Sequence, residues 1–443
     1  MIIIFIVIGV KMIESLRRKI GERTIKIGVI GLGYVGLPFA VSFAEQGVKV
    51  IGFDVVEEKV SILNSGKSYI PDIPNQKLKK VVDQKHFSAT TDFSKLSEVD
   101  LISICVPTPL RKTKDPDISF IVAARDEIFK YIRKGHVIVL ESTTYPGTTE
   151  ELLIPEIMEK GYKIGTDVFV AFSPERIDPG NEKYTIVNTP KVVGGYSENC
   201  TSIVKEIYSL AMDTVVTVGS PATAEMVKLL ENTYRAVNIG LVNEIAIICQ
   251  KLEINTWEVI EAAATKPYGF MPFFPGPGLG GHCIPIDPHY LSWKMRTLNY
   301  DAKFIELASQ INGEMPEYCF RLLIKGLNGI SKSVNKSKIL IMGVAYKKDI
   351  DDIRESPALD FIKLIEDYGG EVYFYDPFVK TFNVGKCEYI SINFNEDFDK
   401  IDFDAAVIIT AHSEVDYSKL MDLPLILDTR NVIKDNFENV VRL

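Results

Sequence analysis

The first half of the chain alternates short apolar runs with longer stretches in which apolar residues recur every three or four positions. Residues 25–30 form the first apolar run, which a Gly-rich turn and a helical pattern follow. Later apolar runs are DLISICVP, HVIVLEST, DVFVAFSP, KVVGG and DTVVTVG. Strands that are apolar throughout are typical of a parallel sheet buried on both faces. The alternation predicts a doubly wound α/β domain over residues 24–218.

The pattern changes at residue 222, where a helical run without proline begins and continues to residue 254. Shorter helical patterns follow at residues 257–264 and near 301–312, separated by a loop rich in Gly and Pro. These patterns predict a central all-α segment over residues 219–330. We expect its long helix to form the contact of a homodimer.

Residues 331–443 return to alternating strand and helix patterns. SKILIMGVAYK predicts a strand that enters a turn, ESPALDFIKLIEDYGG predicts a helix, and EVYFYDP, FDAAVIIT and LPLILDTR predict strands. The order of strand, turn, helix, strand and Asp from Gly343 to Asp376 repeats the order from Gly31 to Asp54. The predicted fold class is therefore α/β, with two Rossmann-like doubly wound domains joined by the helical segment.

The first ten residues, MIIIFIVIGV, are strongly apolar. The run is shorter than the ~20 residues that cross a bilayer, and no basic region precedes it and no small-residue cleavage site follows it. We expect residues 1–23 to be an N-terminal extension and Met12 to be the natural start. A membrane anchor is the alternative interpretation.

Composition narrows the possible functions. The 443 residues carry a formal net charge of −9, which argues against a nucleic-acid-binding protein. The six cysteines are spread singly, without a C-x-x-C pair. This spacing favours the reducing cytoplasm and argues against a disulfide framework or a structural zinc site.

The Gly-rich turn after the first strand has the form G-x-G-x-x-G. Gly31 permits a tight turn, Gly33 lets a pyrophosphate approach the backbone, and Gly36 lets the helix pack on the strand. Asp54 ends the next apolar run and can accept both hydroxyls of a ribose. Because a carboxylate there would repel a 2′-phosphate, the pattern predicts NAD rather than NADP.

Other residues near this turn are expected to contact the cofactor. Thr108 and Thr144 follow buried strands, and loops at the carboxyl ends of such strands line the ligand crevice. Tyr34 and Val35 lie within the Gly-rich turn, and Lys59 follows Asp54.

The loop PGPGLGGHCIPIDP places Cys283 after Gly280 and Gly281, with Asp287 four residues ahead. A lone cysteine is most often a small buried hydrophobic residue, and a zinc site with His282 is a second alternative. We favour a nucleophile, because the loop is not an apolar helix face and the two glycines would let a ligand come close.

A thiol beside NAD suggests a twofold oxidation. The thiolate adds to an aldehyde, hydride leaves the resulting thiohemiacetal, and water hydrolyses the thioester to an acid. Lys228 and Asn232 lie four residues apart on the long helix and hence on one face, where they could hold an oxyanion or a water. Glu175, in a turn after a buried strand, is a candidate acid or base for hydrolysis.

Cations cluster after two strands of the last domain. Tyr346, Lys347, Lys348 and Arg354 follow the first of these strands, and Arg430 follows a later one. Such positions suit a nucleoside diphosphate, with Tyr346 available to stack on a base.

These residues and their order resemble the UDP-glucose/GDP-mannose dehydrogenase family. The resemblance covers nearly the whole chain and is carried by these motifs: GLGYVGLP, VPTP, EST-x-x-P, SPER, AEMVKLLENTYRAVNI, PGPGLGGHCIPIDP, AYKKDIDDIRESP and DTRN. It implies NAD-dependent, four-electron oxidation of the C6 alcohol of a nucleotide sugar by a dimer formed through the long helix.

The resemblance also implies roles for individual residues. Cys283 looks like the nucleophile, Glu175 the acid/base, and Thr144 the threonine beside the nicotinamide. The polar partners that bind water and the oxyanion would be Lys228, Asn232 and Asp287. The UDP contacts would be Tyr346, Lys347 and Arg430, with Arg354 a cofactor contact.

The segment around the cysteine is most similar to the branch of the family that oxidises UDP-N-acetylglucosamine, with the mannosamine branch as its neighbour. SPERIDPG lacks the aromatic residue that UDP-glucose enzymes carry after the glutamate, and Lys266 stands near the place of an arginine of theirs. An N-acetyl group needs a roomier pocket, for which Arg176, Arg235, Phe270 and Phe273 are candidates. A single-step dehydrogenase with a structural cysteine and a non-catalytic nucleotide-sugar sensor remain alternatives.

Overall fold

A computed structural model describes residues 2–111, 115–178, 181, 183–281, 283–385 and 387–443, with side chains from residue 11 onward. The chain divides into two compact units. Unit 1 comprises Met1–Glu231 and His289–Leu298, and unit 2 comprises Asn232–Pro288 and Asn299–Leu443. The bounds of the four segments expected from the sequence remain predictions.

Most of unit 1 is an alternation of strands and helices. Its elements are α1 Ile2–Gly21, β1 Lys26–Ile30, α2 Gly36–Glu45, β2 Lys49–Phe53, α3 Glu57–Asn64, α4 Asn75–Asp83, β3 Phe87–Thr90, β4 Leu101–Ile104, α5 Ser119–Tyr131, β5 Val137–Leu140, α6 Thr148–Leu152, α7 Ile154–Glu159, β6 Phe169–Phe172, β7 Lys191–Gly195, α8 Glu198–Tyr208 and β8 Val215–Val218.

The helical segment and unit 2 follow. Their elements are α9 Pro221–Leu252, α10 Thr256–Ala264, α11 Asp287–Thr297, α12 Lys303–Gly329, β9 Lys338–Met342, α13 Pro357–Asp367, β10 Glu371–Tyr375, β11 Thr381–Val384, β12 Cys387–Ile390, β13 Ala405–Ile408, β14 Ile426–Asp428 and β15 Val440–Arg442. The predicted long helix is α9, with 32 residues.

Two sheets confirm the predicted doubly wound α/β class. Unit 1 has an eight-stranded sheet in the order β3-β2-β1-β4-β5-β6-β7-β8, parallel except where β7 meets β6. Unit 2 has a parallel five-stranded sheet in the order β10-β9-β13-β14-β15. Strands β4, β5 and β6 are buried at every position, as expected of strands covered on both faces. In such sheets ligands bind at the carboxyl ends of the strands.

The N-terminal segment is helical. Leu16 and Ile20 of α1 are buried in the hydrophobic core of unit 1, and Arg17 pairs with Glu206 of α8 at 2.9 Å. Among the residues that the structure describes, no helix combines the length and the apolar character needed to cross a bilayer.

Two helices differ from the sequence pattern. α12 continues to Gly329, well past the predicted pattern, and carries Pro316 inside it. Pro316 and its neighbour Met315 are buried, so tertiary packing offsets the hydrogen bond that a proline removes from a helix. α11 was not predicted, because it begins at Asp287 directly after the Gly/Pro-rich loop.

Candidate active site

The Gly-rich turn of unit 1 has the geometry of a dinucleotide site. Gly31 has a φ of +90°, and a Cβ added there would lie 2.5 Å from the carbonyl oxygen of Cys105. A Cβ at Gly36 would overlap the carbonyl oxygen of Gly31, so α2 can begin there only with glycine. Nothing lies within 4 Å of a Cβ added at Gly33. That open side leaves the room that a pyrophosphate needs to reach the backbone.

Asp54 lies beside this turn at the end of β2. Its Oδ2 accepts a hydrogen bond from the N–H of Leu32 and its Oδ1 one from the N–H of Val56, both at 3.1 Å. A carboxylate has about four lone-pair sites, so two remain for ribose hydroxyls. Lys59 Nζ lies 4.0 Å from Oδ2. The geometry of this side chain therefore fits the ribose of NAD.

The remaining cofactor contacts predicted in unit 1 lie at the same end of the sheet or in the turn. Tyr34 is exposed and Val35 packs against the core. Thr144 is buried, and its Oγ1 donates to Thr148 Oγ1 at 2.5 Å. Thr108 is half-buried, and its carbonyl oxygen accepts from the hydroxyl of Tyr290 at 2.9 Å.

Glu225 is a buried acidic residue that the sequence did not single out. Its carboxylate accepts from the N–H of Gly147 at 2.5 Å and from the N–H and hydroxyl of Thr149 at 2.9 and 2.7 Å. These groups begin α6, just after Thr144. Glu225 therefore fixes the loop that carries the threonine expected beside the nicotinamide.

Glu175 belongs to a buried ionic network. Its Oε1 accepts from the N–H groups of Arg176 and Ile177 at 2.6 Å each, and its Oε2 accepts from Lys191 Nζ at 2.9 Å. Lys191 Nζ also donates to Glu141 at 2.6 Å. The same carboxylate of Glu141 accepts from the hydroxyl of Tyr208.

In this network, burial and the neighbouring charges shift the pKa values in opposite directions. Burial raises the pKa of Glu141, with Lys191 opposing it. Burial acts to lower the pKa of Lys191, but the carboxylates of Glu141 and Glu175 outweigh it and raise that pKa. Lys191 is therefore held as an ammonium ion between two carboxylates. Its sequence signal was a lysine at the head of the apolar run KVVGG.

Lys228 contacts the turn that carries Glu175, and Arg176 extends from the same turn to other parts of unit 1. Lys228 is buried, and its Nζ donates to the carbonyl oxygen of Glu175 at 2.7 Å. Arg176 pairs with Glu231 at 2.6 Å and donates to the carbonyl oxygen of Pro190 at 2.6 Å. The predicted pocket residue Arg176 is thus engaged within unit 1.

In unit 2 the loop that carries Cys283 is joined to two of its predicted polar partners, Asp287 and Asn232. Cys283 is exposed, and its carbonyl oxygen accepts from the N–H of Ile286 at 3.1 Å and of Asp287 at 2.8 Å. Asp287 is buried, and its Oδ2 accepts from Asn232 Nδ2 at 2.5 Å. His282 lies outside the described residues. No cluster of three or more potential metal ligands occurs in the part of the chain that is described.

Gly280 and Gly281 lie directly against Tyr346. A Cβ at Gly280 would lie 2.6 Å from the Cβ of Tyr346, and one at Gly281, where φ is +86°, would lie 2.7 Å from the Tyr346 ring. The N–H of Gly281 donates to the carbonyl oxygen of Arg354 at 3.1 Å. The two glycines therefore make room for Tyr346. That they also let a ligand come close remains a prediction.

Arg430 lies beneath the same loop. It is half-buried, its Nε donates to the carbonyl oxygen of Ile409 at 2.7 Å, and a Cβ at Gly276 would lie 2.5 Å from its Nη1. Burial lowers the pKa of Arg430. In unit 2 this cation therefore packs against the Gly-rich loop that precedes Cys283.

The other predicted contacts of unit 2 vary in exposure. Lys347 is half-buried, and Arg354 pairs with Asp352 at 2.6 Å. Arg235 is exposed, while the Phe273 ring packs edge-on against Tyr234 with centroids 5.8 Å apart. Phe270 is also exposed.

The chain matches three successive domains of one family. They are the NAD-binding domain of the UDP-glucose/GDP-mannose dehydrogenase family at residues 25–212, its central domain at 222–314 and its UDP-binding domain at 340–435.

Named relatives cover nearly the whole chain. UDP-N-acetyl-D-mannosamine dehydrogenase of Pyrococcus horikoshii is 35% identical over 422 residues, which cover 93% of this chain and 96% of the relative. UDP-N-acetyl-D-glucosamine 6-dehydrogenase of Salmonella typhi is 34% identical over 396 residues, which cover 89% and 91%. The structure of the UDP-D-ManNAc dehydrogenase from Pyrococcus horikoshii superposes with a TM-score of 0.85 at 33% identity, covering 94% of this chain and 98% of that one.

The predicted resemblance, the NAD cofactor and the enzyme class are thus confirmed. The chain belongs to the UDP-glucose/GDP-mannose dehydrogenase family and is an NAD-dependent oxidoreductase.

Proposed function

We propose that this enzyme oxidises the C6 alcohol of a UDP-N-acetylhexosamine, namely UDP-N-acetylglucosamine, to the uronic acid. The observation that carries the proposal is the exposed thiol of Cys283, whose loop leads directly into Asp287 and its hydrogen bond to Asn232. A thiol so placed can hold the C6 carbon through the second oxidation. The UDP-binding domain supports the nucleotide part of the substrate.

Bound NAD supplies the hydride acceptor for each of the two oxidations. The Cys283 thiolate adds to the aldehyde carbon after the first, which forms a thiohemiacetal and keeps the aldehyde from escaping. Loss of the second hydride leaves a thioester on Cys283. Water then hydrolyses it, releasing the acid and returning the thiol.

Polar residues assist these steps. The ammonium of Lys228 and the amide of Asn232 lie four residues apart on α9 and stabilise the oxyanion of the tetrahedral centres. Glu175 takes a proton from the hydrolytic water. Its two oxygens accept three hydrogen bonds, which leaves one lone-pair site on Oε2 for that water.

The alternative sugar is UDP-N-acetylmannosamine, which differs from the glucosamine compound in configuration at C2. Two observations favour it: the name of the Pyrococcus horikoshii relative and the TM-score of 0.85 to a structure of that activity. The resemblance of the segment around Cys283 favours glucosamine.

We also infer a cytoplasmic homodimer. Leu241, Ile248 and Leu252 of α9 are exposed apolar residues at helical spacing, as expected of a helix face that a partner covers. The singly spread cysteines suit a reducing compartment.

The test is NADH formation with UDP-N-acetylglucosamine, UDP-N-acetylmannosamine and UDP-glucose measured side by side, with mass analysis of the product. We expect two NADH per sugar and an acid product for the glucosamine compound. Acid formation should disappear in Cys283→Ser. One NADH with an aldehyde or ketone would instead indicate a single-step dehydrogenase with a structural cysteine. Tight binding without NADH would indicate a nucleotide-sugar sensor.

A further inference from the structure

Asp376 directly follows strand β10 in unit 2, just as Asp54 directly follows strand β2 in unit 1. Gly31 donates its N–H to the carbonyl oxygen of Phe53, and Gly343 donates its N–H to that of Tyr375, both at 2.8 Å. Each glycine has a positive φ, +90° for Gly31 and +78° for Gly343.

The carboxylates accept equivalent hydrogen bonds. Asp376 Oδ2 accepts from the N–H of Val344 at 2.8 Å and its Oδ1 from the N–H of Phe378 at 2.9 Å. These donors stand where Leu32 and Val56 stand for Asp54. Asp376 is therefore the counterpart of the residue that faces a ribose in unit 1.

Asp376 differs from Asp54 because its carboxylate has no lone-pair site left to accept a hydrogen bond from a ligand. It also accepts from the N–H groups of Ala345 and Val379 at 3.1 and 3.0 Å, and it meets His412 Nε2 at 3.0 Å. Five donors fill the roughly four lone-pair sites of a carboxylate. Asp376 is 0% exposed, compared with 8% for Asp54. A ribose cannot bind there as it would in unit 1.

The turn that would receive the phosphates has changed as well. Ala345 stands where Gly33 stands, and its carbonyl oxygen accepts from Thr410 Oγ1 at 2.6 Å. α13 begins only at Pro357, whereas α2 begins at Gly36 in the turn itself. A nucleoside diphosphate in unit 2 must therefore be recognised by side chains of the intervening loop rather than by a glycine turn and a helix N-terminus.

His412 contacts both ends of the first part of that loop. Its Nδ1 accepts from the N–H of Asp349 at 3.0 Å, so its Nε2 carries the hydrogen and donates to Asp376. Asp376 in turn holds the N–H groups of Val344 and Ala345. At the far end, Asp349 has a φ of +62° and accepts from the N–H and hydroxyl of Ser413, both at 2.7 Å.

We propose that His412 is a positioning residue for the nucleotide. Its Nε2 donates to the carboxylate of Asp376, which would otherwise face a ribose. His412 thereby holds the loop at residues 344–349 in one conformation. That loop carries Tyr346 and Lys347. The inference rests on the proposed role of these two side chains as UDP contacts.

Three variants separate the contacts of His412. His412→Gln keeps a donor near the Nε2 position, His412→Asn keeps an acceptor near the Nδ1 position, and His412→Ala removes both. The dissociation constant of UDP is measured by calorimetry for each variant, and that of NAD is measured as the internal control for unit 1. Neither measurement requires turnover.

We expect His412→Ala to weaken UDP binding about tenfold or more while NAD binding changes less than about twofold. The Gln and Asn variants should fall between it and the wild type, and added imidazole should restore part of the UDP affinity of His412→Ala. Equal weakening of UDP and NAD, or UDP binding within about twofold of wild type, would overturn the proposal.

If His412→Ala does not fold, the Gln and Asn variants provide the test of the proposal. UDP affinity within about twofold of wild type in both variants would overturn it. Absence of UDP binding in the wild type would overturn this inference and the proposed substrate together. UDP binding that depends on His412, in an enzyme that oxidises no UDP-N-acetylhexosamine, would overturn the proposed function alone.

Discussion

A buried cluster of three charged residues shows how the stability of unit 1 depends on individual side chains. Lys191 lies between Glu141 and Glu175, and all three are buried. Burying a charge is tolerated only when partners compensate it, and loss of one partner leaves the others uncompensated. Loss of one member of this network should therefore destabilise the fold and also loosen the turn whose carbonyl oxygen holds Lys228.

Lys191→Met should lower the free energy of unfolding by about 3–5 kcal/mol, because it leaves two buried carboxylates without their cation. The measurement is chemical denaturation. Lys134→Met is the matched control, since Lys134 is 54% exposed and its pair with Asp167 at 2.8 Å should contribute less than about 1 kcal/mol. Equal losses for both variants would contradict the buried-network interpretation.

His136 provides a second residue-scale prediction, on pH. Burial, and then Arg133, lower its pKa to about 4 from 6.5. The unfolded chain therefore binds a proton at a higher pH than the folded chain does, so stability is full above pH 6.5 and falls as the pH drops towards 4. We expect a loss of about 2 kcal/mol between pH 7 and pH 5 from this group.

The check on this pH dependence is denaturation of the wild type and His136→Asn at both pH values. Asparagine keeps an acceptor near the position of Nδ1, to which the N–H of Arg133 donates at 3.3 Å. The variant should be less sensitive to acid by the stated amount. An equal acid loss in both proteins would exclude His136 as its source.

At the scale of elements, the β1–α2 unit contains one glycine that the fold needs and another that we expect the cofactor to need. Gly36 begins α2 against the carbonyl oxygen of Gly31, whereas Gly33 faces open space. The two positions lie in the same motif, yet substitution should affect different properties.

Gly33→Ala should leave the unfolding midpoint nearly unchanged and weaken NAD binding, because its Cβ would fill the side that a pyrophosphate approaches. Gly36→Ala should lower both stability and NAD affinity, because α2 must shift. Gly219→Ala, with nothing within 4 Å of its Cβ, is the control for both. Calorimetry with NAD and thermal unfolding measure the outcomes, and a stability loss in Gly33→Ala as large as in Gly36→Ala would contradict the distinction.

At the scale of the whole molecule, local patterns predicted much of the fold. The apolar runs located β1, β4, β5 and β6, and the glycine spacing located the turn between β1 and α2, because these signals lie within a few neighbouring residues. Contacts between distant segments were not predictable. Lys191 meets Glu141 across 50 positions and His412 meets Asp376 across 36, and no periodicity records such a pairing.

Contacts between distant segments also escaped prediction in the Gly-rich loop that precedes Cys283. A stretch rich in glycine beside a cysteine suggests room for a ligand, but it gives no sign that Tyr346 packs against Gly280 and Gly281. The continuation of α12 through Pro316 is a similar case, because proline usually ends a helix and buried packing keeps this one intact.

The proposed homodimer is the prediction that concerns the whole molecule. Leu241 and Ile248 are seven residues apart on α9, hence on one face, and are 55% and 43% exposed. An apolar stripe of this kind on a surface helix is normally covered by a partner. Replacing both residues with Arg would place two charges in that contact, and we expect the protein to become a monomer of 49.6 kDa.

Light scattering after gel filtration measures the mass of each variant, with NAD affinity as the test that unit 1 is still folded. Lys95→Glu, an exposed charge reversal in another part of the chain, should keep the wild-type mass. A wild-type mass of one chain, or an unchanged dimer in the double Arg variant, would show that α9 is not the contact. Because burying both leucine and isoleucine side chains contributes several kcal/mol, about 1.5–3 each, even one Arg substitution should shift the equilibrium measurably towards the monomer.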